Sequence, residues 1–182
     1  MIILASNSES RAKILSDFGV EFRQQGCDFD EESIVASSPK NFVYQATLGK
    51  FEACKKMMGL EIPLLVADTV VTADNQILRK AKDIEDARRI LELQSGSVTA
   101  IITCMIYASK DLKILDISST EYHFSSFDEK DLQEYLDGGA WRGKAGACMV
   151  EGFCKPYIQK VTGLESNAMG LGIEKILPFI DV

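Results

Sequence analysis

Histidine is almost missing from this sequence: His123 is the only one in 182 residues. A zinc site, or a Ser-His or Cys-His triad, therefore has almost no material to draw on. The five cysteines (Cys27, Cys54, Cys104, Cys148, Cys154) are odd in number and show no C-x-x-C spacing. That predicts free thiols in a reducing compartment and no sulfur-held metal. No apolar run approaches ~18 residues and no secretory signal pattern stands out, so a soluble, cytoplasmic protein is expected, with no membrane partner. Positive charge is also in deficit, with 20 Lys+Arg against 27 Asp+Glu and a net charge of −7. Nucleic acid and anionic membranes, which bind basic surfaces, are disfavoured as partners. Low-complexity tracts, repeats and linkers are lacking too, so residues 1–182 are expected to form a single domain. Any metal is expected to be a hard, carboxylate-held ion such as Mg²⁺ or Mn²⁺.

What is present alternates between strand and helix signals. Ile2–Ala5 is a short apolar strand, Ser8 to about Phe18 a helix closed by Gly19, and Val20–Arg23 a second strand. The acidic stretch DFDEE, Asp28 to Glu32, leads into a polar loop, and Pro39 opens a long helix to about Met58 that Gly59 ends. LLVADTVV reads as a strand, Asp83 to Leu93 as a helix, and 97–108 with 112–124 as a long strand pair. A helix over Asp128–Leu136, a strand near Tyr157–Val161 and a last helix from about Gly172 complete the series. The pattern predicts an α/β fold with a mixed sheet.

Few residues in that frame can carry chemistry. Asp68 interrupts an apolar run whose two faces should both be buried. A carboxylate there is costly unless it is paired, so it either caps the next turn or serves as a metal ligand or general base. Glu31, in the acidic run, would make a second carboxylate for one Mg²⁺, unless that run is simply a solvated loop. On the helix from Pro39, Val43, Ala46, Ala53, Cys54 and Met57 form an apolar stripe, and Lys50 falls inside it. Such a lysine snorkels to water or meets an anion. Lys80, after Ile77-Leu78, reads alone as a surface lysine. In SNSESR, Ser8 is placed to cap a helix, while Ser6, Ser8, Ser10 and Arg11 would also suit an anion at that helix start. GGAWRGKA nearly spells a P-loop, but Ala145 replaces the required hydroxyl and a helix precedes it. Gly170-Leu171-Gly172 lacks the third glycine of a dinucleotide turn.

The ordered set of motifs resembles the Maf family of nucleoside triphosphate pyrophosphatases. LASNSESR is similar to its L-A-S-x-S-P-R-R start, DFDE to its acid pair, and ADTVV matches its core motif. LRKAKD resembles G-K-P-x-D, LELQSG resembles L-x-x-L-S-G, GKAGACMVEG resembles D-K-A-G-x-Y-x-I-Q-G, and NAMGLG resembles N-V-V-G-L-P. The resemblance implies a mixed twisted sheet flanked by helices, two lobes around a deep cleft, similar to inosine triphosphate pyrophosphatases, and often a homodimer. It implies cleavage of a nucleoside triphosphate between the α and β phosphates with a divalent metal. Asp68 would activate water or hold the metal, and Glu31 would support the metal. Ser8, Arg11, Lys50 and Lys80 would bind the triphosphate, with Glu151 near the nucleotide. The family's link to septum formation gives a second expectation, a nucleotide-binding regulator of cell division with little catalysis. Departures are specific: Glu9 and Ser10 replace proline and the first arginine, Ala81 and Gly172 replace prolines, and Gly143 replaces an aspartate. Glu151 replaces the glutamine of the dTTP/UTP branch and resembles the 7-methyl-GTP branch, which has tryptophan where Ser10 stands.

Overall fold

A computed structural model describes residues 1–31 and 33–180; Glu32, the last acid of DFDEE, lies outside the described residues. The described chain is an α/β protein with a mixed, open sheet of seven strands flanked by helices. In chain order the elements are β1 (Ile2–Leu4), α1 (Glu9–Asp17), β2 (Phe22–Gln24), α2 (Pro39–Met58), β3 (Leu64–Ala73) and β4 (Gln76–Leu78). They continue with α3 (Ile84–Gln94), β5 (Val98–Ala108), β6 (Lys113–Phe124), α4 (Glu129–Gly138), β7 (Ile158–Thr162) and the short α5 (Glu165–Ala168). Sheet order is β2-β1-β3-β5-β6-β7, with β4 pairing β3. β1 runs parallel to β2 and β3, whereas β4 is antiparallel to β3 and β7 to β6. No described helix is long and apolar enough to cross a membrane.

The residues fall into two compact units: one of Met1–Thr69, Ile102–Ser119 and the chain from Leu164 on, the other of Val70–Ile101 and Thr120–Gly163. In the first unit, strand alternation sorts the core onto two faces. Ile2, Leu4, Leu65 and Ala67 pack with Ile14 and Leu15 of α1 and with Leu171, Ile173 and Ile176. Their neighbours Ile3, Ala5, Leu64 and Val66 pack with Phe51 and Cys54 of α2. The same parity carries Asp68 to the α2 side and Thr69 to the α1 side.

Helix α2 keeps the bounds its local signals predict. Ser38 accepts from Asn41 N at 3.2 Å as N-cap, Pro39 sits in the first turn, and Gly59 takes φ +69° at the C-terminus. Ser38→Ala should cost about 1 kcal/mol of stability, read as a lower urea midpoint with unchanged slope. One expectation fails on the α2 face: Met57 is 55 % exposed, so the buried set is narrower than the stripe suggests. The last helix from Gly172 is instead two 3₁₀ turns, Ile173–Lys175 and Leu177–Phe179. Pro178 has no N–H to give and would clash with an α-helical carbonyl at Glu174, so the segment tightens to i→i+3 bonds.

The expectation of free thiols is also corrected. Cys27 is bonded to Cys54 (Cα–Cα 5.7 Å) and Cys148 to Cys154 (Cα–Cα 6.3 Å), leaving Cys104 free and buried. Burial pushes the Cys104 thiol up to about 11, so it stays protonated and unreactive. Cys27 and Cys54 lie 27 residues apart and are brought together by the fold, whereas Cys148 and Cys154 lie 6 apart in one run of turns.

Candidate active site

Four charged groups meet in the first unit, and each is delivered by a different element. Asp68 comes from β3, Lys50 from the middle of α2, Glu31 from the loop before α2, and Arg11 from the first turns of α1. Lys50 Nζ pairs with Glu31 Oε1 and, at 3.3 Å, with Asp68 Oδ1. Their side chains are 21 % (Lys50), 42 % (Glu31) and 13 % (Asp68) exposed, so Asp68 lies deepest. Lys50 therefore neither snorkels to water nor stands alone: its anions are the two carboxylates.

Burial raises the Asp68 carboxyl above its ordinary range, opposed by the Lys50 charge, reinforced by Glu31 and opposed again by Arg11. Its Oδ1 also accepts from Thr69 N at 3.0 Å. The turn-capping reading of Asp68 fails: β3 runs on to Ala73, so no turn follows Asp68, and its bond to Thr69 N is made within the strand.

Arg11 is held by protein groups on three sides. Nε donates to Gly170 O (2.8 Å), Nη1 to Ser6 Oγ (3.0 Å) and Nη2 to Thr69 Oγ1 (3.1 Å). Thr69 Oγ1 in turn meets Thr103 Oγ1 at 2.9 Å, and Thr103 donates to Asn167 O at 2.8 Å. Three of the five guanidinium N–H groups have described partners; two do not. Burial lowers the Arg11 pKa, while Asp68 and Glu31 raise it. Gly170 takes φ +105°, and a Cβ there would lie 3.4 Å from both Arg11 Nε and Thr69 Oγ1. Glycine lets this carbonyl come close.

Ser8 caps α1, accepting from Arg11 N at 3.4 Å, and its own N–H donates to Ser6 Oγ at 3.2 Å. Ser10 is exposed on the helix. The three serines expected to act alike are therefore distinct: Ser6 orients Arg11, Ser8 caps, and Ser10 faces out. Sequence reasoning missed Thr69 and Gly170 as holders of Arg11, and Thr103 as the support behind Thr69. The two holders lie 58 and 159 residues from Arg11 along the chain, beyond any local signal.

Lys80 and Glu151 belong to the second unit. Lys80 is exposed and forms an antiparallel bridge with Ala145, while Gly146 N donates to Leu78 O and Arg79 O. The LRKAKD and GKAGAC stretches are thereby laid side by side. Gln94, fully buried, fixes the second of them by donating to Gly146 O at 2.7 Å. Glu151 is exposed in a turn. Together with burial, the larger cause, its charge pushes Tyr135 up to about 12.

Asp68 and Glu31 already share one cation, and both are hard oxygen donors. That donor set fits Mg²⁺ or Mn²⁺, which take one or two protein carboxylates and complete their shells with water and phosphate. Among the described residues no group of three or more His, Cys, Asp or Glu gathers into a closed metal cage.

Fold and site together define an α/β protein with a charged centre made of two carboxylates, an ammonium and a guanidinium at a helix start. The model of the family described as Maf-like protein matches residues 1–181, and the chain belongs to the Maf family. Similar proteins are found in three bacteria, and each is named nucleoside triphosphate pyrophosphatase. The one from Nitratiruptor sp. is 57 % identical over 178 residues, covering 97 % of this chain and 96 % of the relative. The one from Helicobacter pylori strain G27 is 37 % identical over 176 residues, covering 97 % and 93 %. A third, from Campylobacter jejuni, is 34 % identical over 183 residues, covering 99 % and 100 %.

Proposed function

We propose that this chain is a nucleoside triphosphate pyrophosphatase that splits the bond between the α and β phosphates, with residues 1–182 acting as one domain. The observation that carries this reading is the buried Asp68 carboxylate, poised beside Lys50, Glu31 and Arg11. In the reaction a water oxygen bonds to phosphorus, the anhydride P–O bond breaks, and pyrophosphate leaves beside a nucleoside monophosphate. Asp68 accepts the proton lost by the water, a role that its raised pKa suits at neutral pH. Arg11, presented at the α1 N-terminus with two N–H groups that have no hydrogen-bond partner among the described residues, binds phosphate oxygens. Ser8 keeps that helix start in place and lies at the phosphates. Lys50 holds the two carboxylates and contributes charge to the triphosphate, Lys80 adds a further cation, and Glu151 contacts the nucleoside.

Charge balance favours a divalent ion as well. Asp68 and Glu31 cancel Lys50 and Arg11, so the resting centre offers a polyphosphate little net attraction. Asp68 and Glu31 would hold Mg²⁺ or Mn²⁺, which when bound supplies charge neutralisation to the phosphates. A nucleotide, not a nucleic acid or a membrane, is the partner, and the cytoplasm is where such a substrate is found.

A panel of triphosphates (7-methyl-GTP, dTTP, UTP and modified pyrimidine triphosphates) assayed for pyrophosphate release with Mg²⁺ or Mn²⁺ tests this. Release from at least one, dependent on the metal, is expected. Tight triphosphate binding without release from any would instead favour a nucleotide-binding regulator.

A further inference from the structure

The loop that carries Glu31 has no helix or strand among its described residues from Gln25 to Ser38. It nevertheless delivers one of the two carboxylates of the centre, so something other than regular structure must fix it. Three contacts tie it to α2. Cys27 is bonded to Cys54, the Phe29 ring lies on Gly49, and Glu31 pairs with Lys50. The first contact lies near the C-terminal end of the helix and the other two at adjacent positions, Gly49 and Lys50, near its middle.

Gly49 is the unusual member. It lies within α2 and is not in the left-handed region, so the helix itself has no need of glycine there and would be firmer with alanine. A Cβ on Gly49 would fall within 3.0 Å of Cζ, Cε2 and Cε1 of Phe29. The missing side chain is the seat for the ring. At the loop's other end Gln25 N donates to Leu4 O at 3.0 Å, and Gly26 abuts the Asn7 side chain. The segment between is therefore stretched from β1 to α2, with Glu31 just beyond the two clamps.

We propose that Phe29 and Cys27 are positioning residues for the reaction. By seating on Gly49 and bonding to Cys54 they hold the Glu31 carboxylate beside Asp68, and so set the affinity of the centre for a divalent cation. Because one clamp is a disulfide, a dithiol loosens the centre. Its thiolate attacks Sγ of half-buried Cys27, and the S–S bond breaks with Cys54 leaving as a thiolate that takes up a proton. The reagent's second thiol then closes the reagent's own disulfide and releases the Cys27 thiol, so two electrons and two protons pass from the dithiol to the cysteine pair. The proposal rests on the functional reading above only in taking Glu31 and Asp68 as the cation-holding pair.

Manganese titration followed by electron paramagnetic resonance, without nucleotide, tests it on the whole protein. The site-specific part is the binding lost in Asp68→Asn. Gly49→Ala should weaken that part by about tenfold or more, and raise the Mn²⁺ needed for half-maximal turnover, with a melting temperature equal to or above wild type. Phe29→Leu in the Gly49→Ala background, which removes the ring atoms the new methyl would meet, should restore most of the affinity. Cys27→Ser and dithiol-treated wild type should weaken Mn²⁺ binding alike. Unchanged Mn²⁺ affinity in Gly49→Ala, or a loss that tracks a lower melting temperature and is not rescued by Phe29→Leu, would overturn the proposal. If such a result came beside a wild type that binds Mn²⁺ and releases pyrophosphate, the functional reading would stand without it. A wild type that does neither would sink both.

Discussion

Asp68→Asn should lower kcat by about a thousandfold, within the range that a positioned acid–base group contributes, in a protein that is no less stable than wild type. The two halves of this expectation have one cause. β3 places Asp68 between buried residues on the α2 face, so its carboxyl loses hydration and its pKa rises. A carboxyl whose pKa is higher folded than unfolded favours the fold while it is protonated, at acid pH below its ordinary value. That contribution is lost as pH rises through the raised value, so at pH 7.5 the ionised side chain is a liability to the fold. Asparagine has the same shape, carries no charge, and still offers an oxygen to Thr69 N. Scanning calorimetry at pH 7.5 should show Asp68→Asn melting at or above wild type, with the difference shrinking toward pH 4. Pyrophosphate release should meanwhile fall to near background. A variant that keeps most of its activity would remove Asp68 from the chemistry.

Lys50→Met has the next largest effect, and it acts in two ways. Lys50 is the strongest influence opposing the rise in the Asp68 pKa, and its ammonium joins Asp68 to Glu31. Methionine fills the stem volume but leaves the carboxylates facing one another. The Asp68 pKa then rises further, so the acid limb of the pH–rate profile moves to higher pH. The triphosphate also loses a cation, and kcat/KM should fall by about ten- to a hundredfold, the worth of one or two hydrogen bonds to a charged group. Steady-state kinetics across pH separates the two effects. At pH well above the acid limb kcat should recover toward wild type, while the raised KM persists. An unshifted acid limb would show that Lys50 does not govern Asp68.

Sequence signals reached the elements better than they reached the contacts between them. The bounds of α2 follow from Ser38, Pro39 and Gly59, all local, and β3 follows from an apolar run that only a buried strand accommodates. The start of α3 follows from Asp83, which caps it by accepting from Asp86 N. The 3₁₀ turns near the C-terminus were hidden because apolar spacing alone does not distinguish them from an α-helix; Pro178 was the overlooked signal. β4 was missed because Gln76–Leu78 is too short to show alternation.

At the centre, Asp68 and Lys50 were legible because each breaks an apolar pattern. What each of them touches was not. Lys50 could have met water or anion on sequence grounds, and its carboxylate partners come from β3 and from a loop nineteen positions earlier (50 − 31). Arg11 was legible as a cation at a helix start, but its orientation depends on a carbonyl 159 residues away. The Cys27–Cys54 pair, 27 residues apart, was unreadable for the same reason, and reading its members as free thiols concealed the one covalent link among the described residues between the Glu31 loop and α2.

The central claim is that the Asp68 centre cleaves a nucleoside triphosphate between its α and β phosphates. The most direct test is ³¹P nuclear magnetic resonance of the products formed from the best substrate, by wild type and by Asp68→Asn in parallel. Nucleoside monophosphate and pyrophosphate should grow in equal amounts with wild type and stay near background with Asp68→Asn. Diphosphate with orthophosphate, or equal product formation by both proteins, would contradict it.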